Sequence, residues 1–169
     1  MKYTSAEAAK LLRKLNETHA AFKSREEQNT VFVAAIEEIL EDARPAYNYE
    51  QTQETLAALE QKIRKVKHAI NVFNATTQIP GFDLTIDEAL VYIPQLSARK
   101  RKLAQMALVP PKARINASGY MSKGIVEYRY ANYDVERAAS DLSAVSDELA
   151  KLQVALDVVN NSVTLEIDE

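Results

Sequence analysis

Tyrosine and basic side chains are concentrated in two segments that we predict to be non-helical connections between helices. The chain has eight tyrosines, and these segments contain Tyr47, Tyr49, Tyr120, Tyr128, Tyr130 and Tyr133. The same segments contain Arg44, Arg114, Lys123 and Arg129. Aromatic faces and cationic donors are what a nucleotide, an RNA end or an acidic peptide would need.

A small anionic ligand, such as a nucleotide, is one interpretation of this pattern, with two predicted helix ends adding polar contacts. The predicted ligand-binding residues are then Arg44, Tyr47, Tyr49, Asn74, Arg114, Tyr128, Arg129, Tyr130 and Asn160. The other interpretation is structural: the tyrosines seal one end of a helical bundle and keep their hydroxyls hydrated. We favour the structural interpretation because tyrosine suits small sheets.

The sequence contains none of the motifs that carry common catalytic or cofactor chemistry. The only glycines, Gly81, Gly119 and Gly124, lie too far apart for a phosphate-binding loop. Because there is no cysteine, disulfides and thiolate metal or redox sites are excluded. His19 falls on an apolar helix seam, where a hydrogen-bonded histidine is expected, and His68 falls off the next seam. We predict a non-catalytic protein without a metal or cofactor.

Charge is divided unevenly along the chain, although the net charge is only −3. The stretch 36–60 has seven acids and one base, whereas 89–126 has no acid and seven bases. The basic stretch 99–123 either binds phosphate, as in nucleic acid, or pairs with the acidic stretch 36–60. We favour pairing. The run Arg99-Lys100-Arg101-Lys102 surrounds a helix rather than following one face, which is more typical of a solvated surface than of a phosphate-binding one.

An internal repeat organises the chain, because residues 56–79 match residues 142–165 when the sequence is shifted by 86 positions. Both copies carry an apolar seam that steps 3, 4, 3, 4, 3, which predicts two long helices. The first seam is Leu56, Leu59, Ile63, Val66, Ile70 and Phe73. The second is Leu142, Val145, Leu149, Leu152, Leu156 and Val159. Such seams must pack on each other or on another subunit.

The fold class that follows is mainly α: a long-helix antiparallel bundle with coiled-coil-like packing and a small β element at one end. We predict a single helical domain over 1–169, with repeat units at about 50–79 and 134–167. Two capping boxes, Thr4 with Glu7 and Thr85 with Glu88, predict the starts of two further helices. Asp134 is predicted to cap the last helix. Short extended pieces are predicted at 30–33, 76–79, 125–130 and 163–167.

Three stretches resemble a small bacterial family: 70–77 (INVFNATT), 84–90 (LTIDEAL) and 152–160 (LQVALDVVN). The family is labelled septicolysin-like and consists of uncharacterised helical proteins. The resemblance covers most of the chain from about residue 50 onward and implies the helical fold, while the family label implies a cytolysin. This sequence differs at Asn160-Asn161, where many members carry Asn-Trp.

The sequence predicts a cytoplasmic protein. Its first residues lack the apolar stretch of a signal peptide, and no window approaches the roughly 18 apolar residues of a membrane span. The leading functional hypothesis is a non-catalytic homo-oligomer that acts by binding a partner or ligand, because its seams are longer than a monomer of this size easily covers. A small anionic ligand is the alternative, and nucleic acid bound through 99–123 is a further, less favoured one.

Overall fold

The computed structural model describes residues 1–115 and 126–168, and helices dominate this part of the chain. Helices packed on one another, with short strands beside them, confirm the predicted bundle-type fold with a small β element. The elements are β1 (Lys2–Thr4), α1 (Ser5–Asn29), α2 (Leu40–Ala43), α3 (Tyr49–Thr76), α4 (Ile86–Ala107), β2 (Lys112–Arg114), β3 (Tyr128–Tyr130), α5 (Val135–Ser162) and β4 (Thr164–Glu166).

Contacts divide the chain into two compact units. The first unit is Met1–Thr77 with Val158–Glu169, and the second is Gln78–Asp157. The first repeat copy lies almost entirely in the first unit, whereas the boundary between the units cuts the second copy near the end of α5. A single domain over 1–169 stays a prediction.

The two repeat helices are confirmed. Both α3 and α5 have 28 residues, and Val135 and Ser162 follow Tyr49 and Thr76 by the same 86 positions. Every residue of both predicted seams is buried or half-buried. Burial is greater in the second seam, where five of the six residues are buried, than in the first, where only Val66 and Phe73 are. The 3-4 spacing therefore identified the covered stripe of each helix.

In the first unit, α1 and α3 form an antiparallel hairpin. His19 Nε2 lies 3.3 Å from Glu60 Oε1. Near the end of α1 and the start of α3, the Gln53 side chain donates a hydrogen bond to the Glu26 carboxylate. The first of these contacts agrees with the prediction that His19 is a hydrogen-bonded seam residue. The opposite end of the hairpin carries a two-stranded antiparallel sheet, in which Tyr3 of β1 pairs with Leu165 of β4.

In the second unit, α4 follows a tight turn in which Gly81 has a φ of 83°, a backbone region that glycine enters at no steric cost. The backbone N–H of Ile79 donates to Leu84 O at 2.9 Å and closes this turn. Side-chain hydrogen bonds join the elements of the unit: the Tyr92 hydroxyl donates to Glu148 Oε1, and the Tyr133 hydroxyl donates to Met106 O, each at 2.8 Å.

The predicted helix starts are confirmed. The Thr4 and Thr85 side chains each accept a hydrogen bond from the backbone N–H three residues on, and the glutamate carboxylate there accepts one from the threonine backbone N–H. These bonds hold the pKa of Glu7 and Glu88 below the ordinary glutamate value. Asp134 Oδ1 accepts from the Arg137 N–H at 3.0 Å, as its capping role predicts.

Replacing Thr85 by alanine is expected to lower the free energy of unfolding by about 1 kcal/mol at pH 7, because the first turn of α4 loses its side-chain acceptor. Urea unfolding followed by circular dichroism would measure the change. Thr55→Ala is the control, since that hydroxyl donates only to a carbonyl within its own helix. Equal losses in the two variants would contradict the capping role.

Several sequence predictions differ from the structure. The strand predicted at 30–33 is wrong: no segment among residues 1–115 and 126–168 pairs with it, and Val31 and Val33 are 79% and 94% exposed. Tyr49 lies in α3 rather than in a connection, because Asn48 caps that helix by accepting from the Gln51 N–H. The predicted strand at 125–130 is present as β3 over its last three residues, and Ile125 lies outside the described residues.

Candidate functional site

Three of the predicted binding residues, Arg44, Tyr47 and Tyr49, lie at or just before the start of α3, and two of them make local contacts. Arg44 lies 3.4 Å from the Glu41 carboxylate and over the Phe32 ring, 5.9 Å from its centroid. Tyr47 is half-buried, and its hydroxyl donates to Glu26 Oε1 at 2.9 Å. Tyr49, the first residue of α3, is 65% exposed, and the Arg44 side chain is 56% exposed, so both remain accessible.

A cleft of about 590 Å³ lies beside Tyr47, between the end of α1 and the start of α3. Most of its lining residues have polar side chains, and they include one base and one acid, Arg25 and Glu26. Of the nine predicted binding residues it includes only Tyr47. The cleft residues are Phe22, Arg25, Glu26, Asn29, Ala46, Tyr47, Asn48, Gln51, Thr52 and Thr55.

Burial raises the pKa of Tyr47 above the ordinary tyrosine value, and the hydrogen bond to Glu26 raises it further. We therefore expect Glu26→Gln to lower the pKa at which this hydroxyl ionises, since a neutral amide no longer opposes the phenolate. An alkaline titration followed by tyrosinate absorbance, with Tyr47→Phe used to assign the transition, would measure it. Glu27→Gln, an exposed neighbour, is the control and should leave the titration unchanged.

Asn74 and Asn160 are both half-buried in the first unit. Asn74 follows Tyr49 by 25 positions of one continuous helix, which is about 38 Å at 1.5 Å per residue. The structure therefore does not bring Asn74 together with Tyr47 and Tyr49. Asn160 lies near the end of α5, shortly before β4.

The other four predicted binding residues lie on the β2–β3 ribbon of the second unit. The strands are antiparallel, with Lys112 opposite Tyr130, Ala113 opposite Arg129 and Arg114 opposite Tyr128. Because side chains alternate along a strand and opposite residues share a face, Lys112, Arg114, Tyr128 and Tyr130 lie on one face. We call these four residues the tyrosine face. Arg129 lies on the opposite face of the ribbon.

The tyrosine face is exposed and cationic. The Tyr128 and Tyr130 rings, 42% and 62% exposed, lie 6.4 Å apart between centroids and are tilted by 48°. The Lys112 ammonium lies 4.2 Å from the Tyr128 centroid and 5.6 Å from that of Tyr130, within range of a cation–π interaction with each ring. Lys112 was not among the predicted binding residues, because only the strand register places it beside the tyrosines.

The basic run Arg99 to Lys102 is exposed at all four positions of α4, as expected for residues that surround a helix. Two further bases of the predicted basic stretch, Lys112 and Arg114, lie on the tyrosine face. Tyr120 and Lys123, two further members of the predicted clusters, lie outside the described residues.

An exposed apolar segment that the sequence analysis did not single out connects α1 to α2. We call residues 31–40 the apolar arm. Its large aliphatic side chains are 58% to 104% exposed: Val31, Val33, Ile36, Ile39 and Leu40. It is held by local hydrogen bonds, in which the Ala35 N–H donates to the Glu38 carboxylate and the Glu38 N–H donates to Ala35 O.

A groove of about 420 Å³ lies between the second half of α3 and β4 in the same unit. We call it the α3–β4 groove. Its lining is Lys65, His68, Ala69, Val72, Phe73, Thr76, Leu165, Glu166 and Asp168. A second cavity of about 220 Å³ adjoins it at Lys65 and is lined by Tyr3, Leu11, Leu15 and Val66 among others.

Among residues 1–115 and 126–168, no three histidine, aspartate or glutamate side chains lie close enough together to hold a metal ion. No helix in this described part of the chain is both long and apolar enough to span a bilayer.

Comparison with known proteins shows the fold alone. No protein-family model matches the sequence, and no curated protein matches it. The structure is similar to the crystal structure of a functionally unknown conserved protein from Corynebacterium diphtheriae, with a TM-score of 0.58 and 17% sequence identity. The similarity covers 98% of this chain and 100% of that one. Membership of a septicolysin-like family stays a prediction.

Proposed function

We propose that this protein is a non-catalytic binding protein that self-associates. The observation that carries the proposal is a gradient of burial along the α1–α3 hairpin. Near the β1–β4 sheet, Ala8, Val66 and Phe73 are 0%, 4% and 7% exposed, beside the half-buried Leu12 and Ile70. Toward the other end, every large apolar side chain of the hairpin seam is only half-buried, a group that comprises Leu15, Phe22, Leu56, Leu59 and Ile63.

The gradient has a direct physical reason. A hairpin of two helices covers one side of each seam, and full burial needs a third surface. Complete burial of a large apolar side chain stabilises by roughly 1.5–3 kcal/mol, so five half-buried residues retain a substantial driving force for association. A second copy of the chain would present the same incomplete seam.

Size-exclusion chromatography with light scattering, over roughly 1–100 µM protein, tests self-association. We expect a mass that rises to a multiple of the 18.9 kDa chain. Leu59→Glu, at the half-buried end, should weaken association, whereas Glu17→Lys on the exposed side of α1 should not. A monomer throughout this range would overturn the proposal.

A second candidate function is favoured by the tyrosine face. Two exposed rings and two exposed cations on one side of a ribbon would suit an anion that carries a planar ring, such as a nucleotide. The rings would stack on the base, while Lys112 and Arg114 would neutralise phosphate. Only part of the originally predicted cluster enters this site, namely Arg114, Tyr128 and Tyr130.

A thermal-shift screen with nucleoside mono-, di- and triphosphates tests this candidate. Ligand at 100 times its Kd should stabilise the protein by about 2.7 kcal/mol, which gives a clear shift in melting temperature. The shift should disappear in Tyr128→Ala, whereas Arg129→Ala, on the other face, should retain most of it. No shift with any nucleotide would exclude the site for this class. A response to single-stranded RNA that falls steeply with salt would instead favour nucleic acid.

A further inference from the structure

We propose that two copies of this chain pair antiparallel about a two-fold axis near the middle of α3, and that each inserts its apolar arm into the α3–β4 groove of the other. The proposal rests on the self-association proposed above and adds to the seam contact a second surface, the exposed side of α3 that carries Glu54, Lys65 and Val72. All the residues that carry it belong to the first unit.

The apolar arm exposes large aliphatic side chains that another surface could cover. Ile36 is 104% exposed and Val33 is 94% exposed, so neither contributes to the core of its own chain. Exposed aliphatic side chains concentrated in one segment are typical of an interaction surface. Beside them the arm and α2 carry only acids, namely Glu37, Glu38, Glu41 and Asp42, up to the first base at Arg44. A binding site for this segment should therefore be apolar, with basic side chains beside it.

The α3–β4 groove has that chemistry on its α3 side. Val72, which is 47% exposed, and Phe73 and Leu165 supply an apolar floor, and Lys65 and His68 lie along the same helix. Its acids belong to the other side, where Glu166 of β4 lies 3.6 Å from Lys2 Nζ and Asp168 follows. An arm entering with its acids toward α3 would meet lysine rather than carboxylate.

The exposed charges of α3 define the symmetry. The half from Tyr49 to Glu60 has three acids and no base, and the rest of the helix has four bases and no acid. The acids are Glu50, Glu54 and Glu60, and the bases are Lys62, Arg64, Lys65 and Lys67. Two such helices side by side attract each other only when antiparallel, and a two-fold axis makes every contact occur twice.

The helix register then brings the arm to the groove. An axis near residue 60 brings Glu54 close to Lys65 of the second copy, because both are exposed and lie on the same side of α3, 11 residues or about three helical turns apart. The same two-fold rotation places residue 48 opposite residue 72 of the second copy. Residue 48 lies at the end of the hairpin from which the arm extends, and residue 72 lines the groove. The charge pattern of α3 and the positions of arm and groove are separate observations, and both are compatible with an axis near residue 60.

Disulfide trapping tests the arrangement, because the natural chain has no cysteine and introduced pairs are therefore unique. We expect Ile36→Cys with Val72→Cys to form a covalent dimer under mild oxidation, resolved on a non-reducing gel. The matched control is Ile36→Cys with Ala9→Cys, which adds a thiol at an exposed position of α1 outside the groove. A disulfide needs Cβ atoms within about 4.5 Å, so the control should link at least tenfold more slowly.

A charge exchange tests the axis independently. Lys65→Glu should raise the dimer dissociation constant by roughly tenfold at low salt, and adding Glu54→Lys should restore most of the affinity. Lys100→Glu, on α4, makes the same change in net charge and should leave the dissociation constant unchanged. Failure of the double variant to recover would overturn the proposed axis.

The outcomes separate this proposal from the one on which it rests. A dimer by light scattering whose paired cysteines link no faster than the control overturns the arm insertion and leaves self-association standing. A rapid disulfide within one chain shows that the arm folds onto its own groove and also overturns the proposal. A chain that stays monomeric overturns both. A rapid intermolecular link in the pair alone supports the arrangement.

Discussion

Leu96→Ala is expected to lower the free energy of unfolding by about 2–5 kcal/mol, while Leu90→Ala in the same helix lowers it by roughly 1 kcal/mol or less. Leu96 is 1% exposed, so its truncation leaves a cavity in a packed interior. Leu90 is 49% exposed, and solvent fills the space that its truncation leaves. The two substitutions have the same chemistry and the same helix propensities, so burial alone separates them.

Urea unfolding followed by circular dichroism measures both changes, provided that the slope of unfolding free energy against urea is unchanged. A natural domain has about 5–15 kcal/mol of stability, and the Leu96 variant would lose a large fraction of it. Similar losses in both variants would show that α4 does not present the described side to the interior.

Val159→Asp is expected to be the more damaging of two substitutions at adjacent valines of α5. Val159 is 1% exposed, whereas Val158 is 56% exposed. A carboxylate that replaces Val159 has no water around it, and full burial shifts the pKa of such a group upward by as much as 3–5 units. Each unit corresponds to 1.36 kcal/mol, so a pKa raised from about 3.9 to 7 or above gives an expected loss at pH 7 of about 4 kcal/mol. Val158→Asp should cost about 0.5 kcal/mol.

The loss at Val159→Asp should depend on pH in a defined direction. A carboxyl whose pKa is raised in the folded state binds its proton more tightly there than in the unfolded chain. The variant is therefore least destabilised relative to the natural protein below the unfolded value of about 4; the loss grows as pH rises from there to the folded pKa and is constant above it. Urea unfolding at pH 4.5 and pH 7 measures this dependence. A loss independent of pH would contradict burial of an ionisable group.

Local sequence signals predicted the helices well. Thr4 with Glu7 and Thr85 with Glu88 each placed a helix start correctly, because a capping box is formed within four residues and needs no partner from elsewhere. The seams of α3 and α5 were equally readable, since the 3-4 spacing repeats over six positions in each copy. Helix ends and covered faces are therefore encoded at short range.

Short strands were predicted less well. Residues 30–33 have strand composition but no partner, while Lys2–Thr4 and Lys112–Arg114 form strands for which no extended piece was predicted. A strand is stabilised by the segment that it pairs with, and β1 pairs with β4 from the other end of the chain. Three-residue strands are too short for alternation to indicate them.

The candidate sites show the same limit. Tyrosine and arginine content selected two connections, but composition could not predict that Tyr47 bonds to Glu26 or that Lys112 lies on the tyrosine face. The apolar arm was also missed, because Val31-Phe32-Val33 was interpreted as a strand that would be paired. Its exposure follows from the tertiary structure, in which no described segment pairs with it.

The sequence by itself determined the elements whose stabilising contacts lie within a few residues: the capped helices, the repeated seams and the division of charge along α3. The tertiary structure alone decided strand register, which face of the β2–β3 ribbon carries cations, and which apolar residues remain uncovered. The physical reason is range. Helical hydrogen bonds and caps join residues three or four positions apart, whereas pairing and burial depend on chain segments separated by tens of residues.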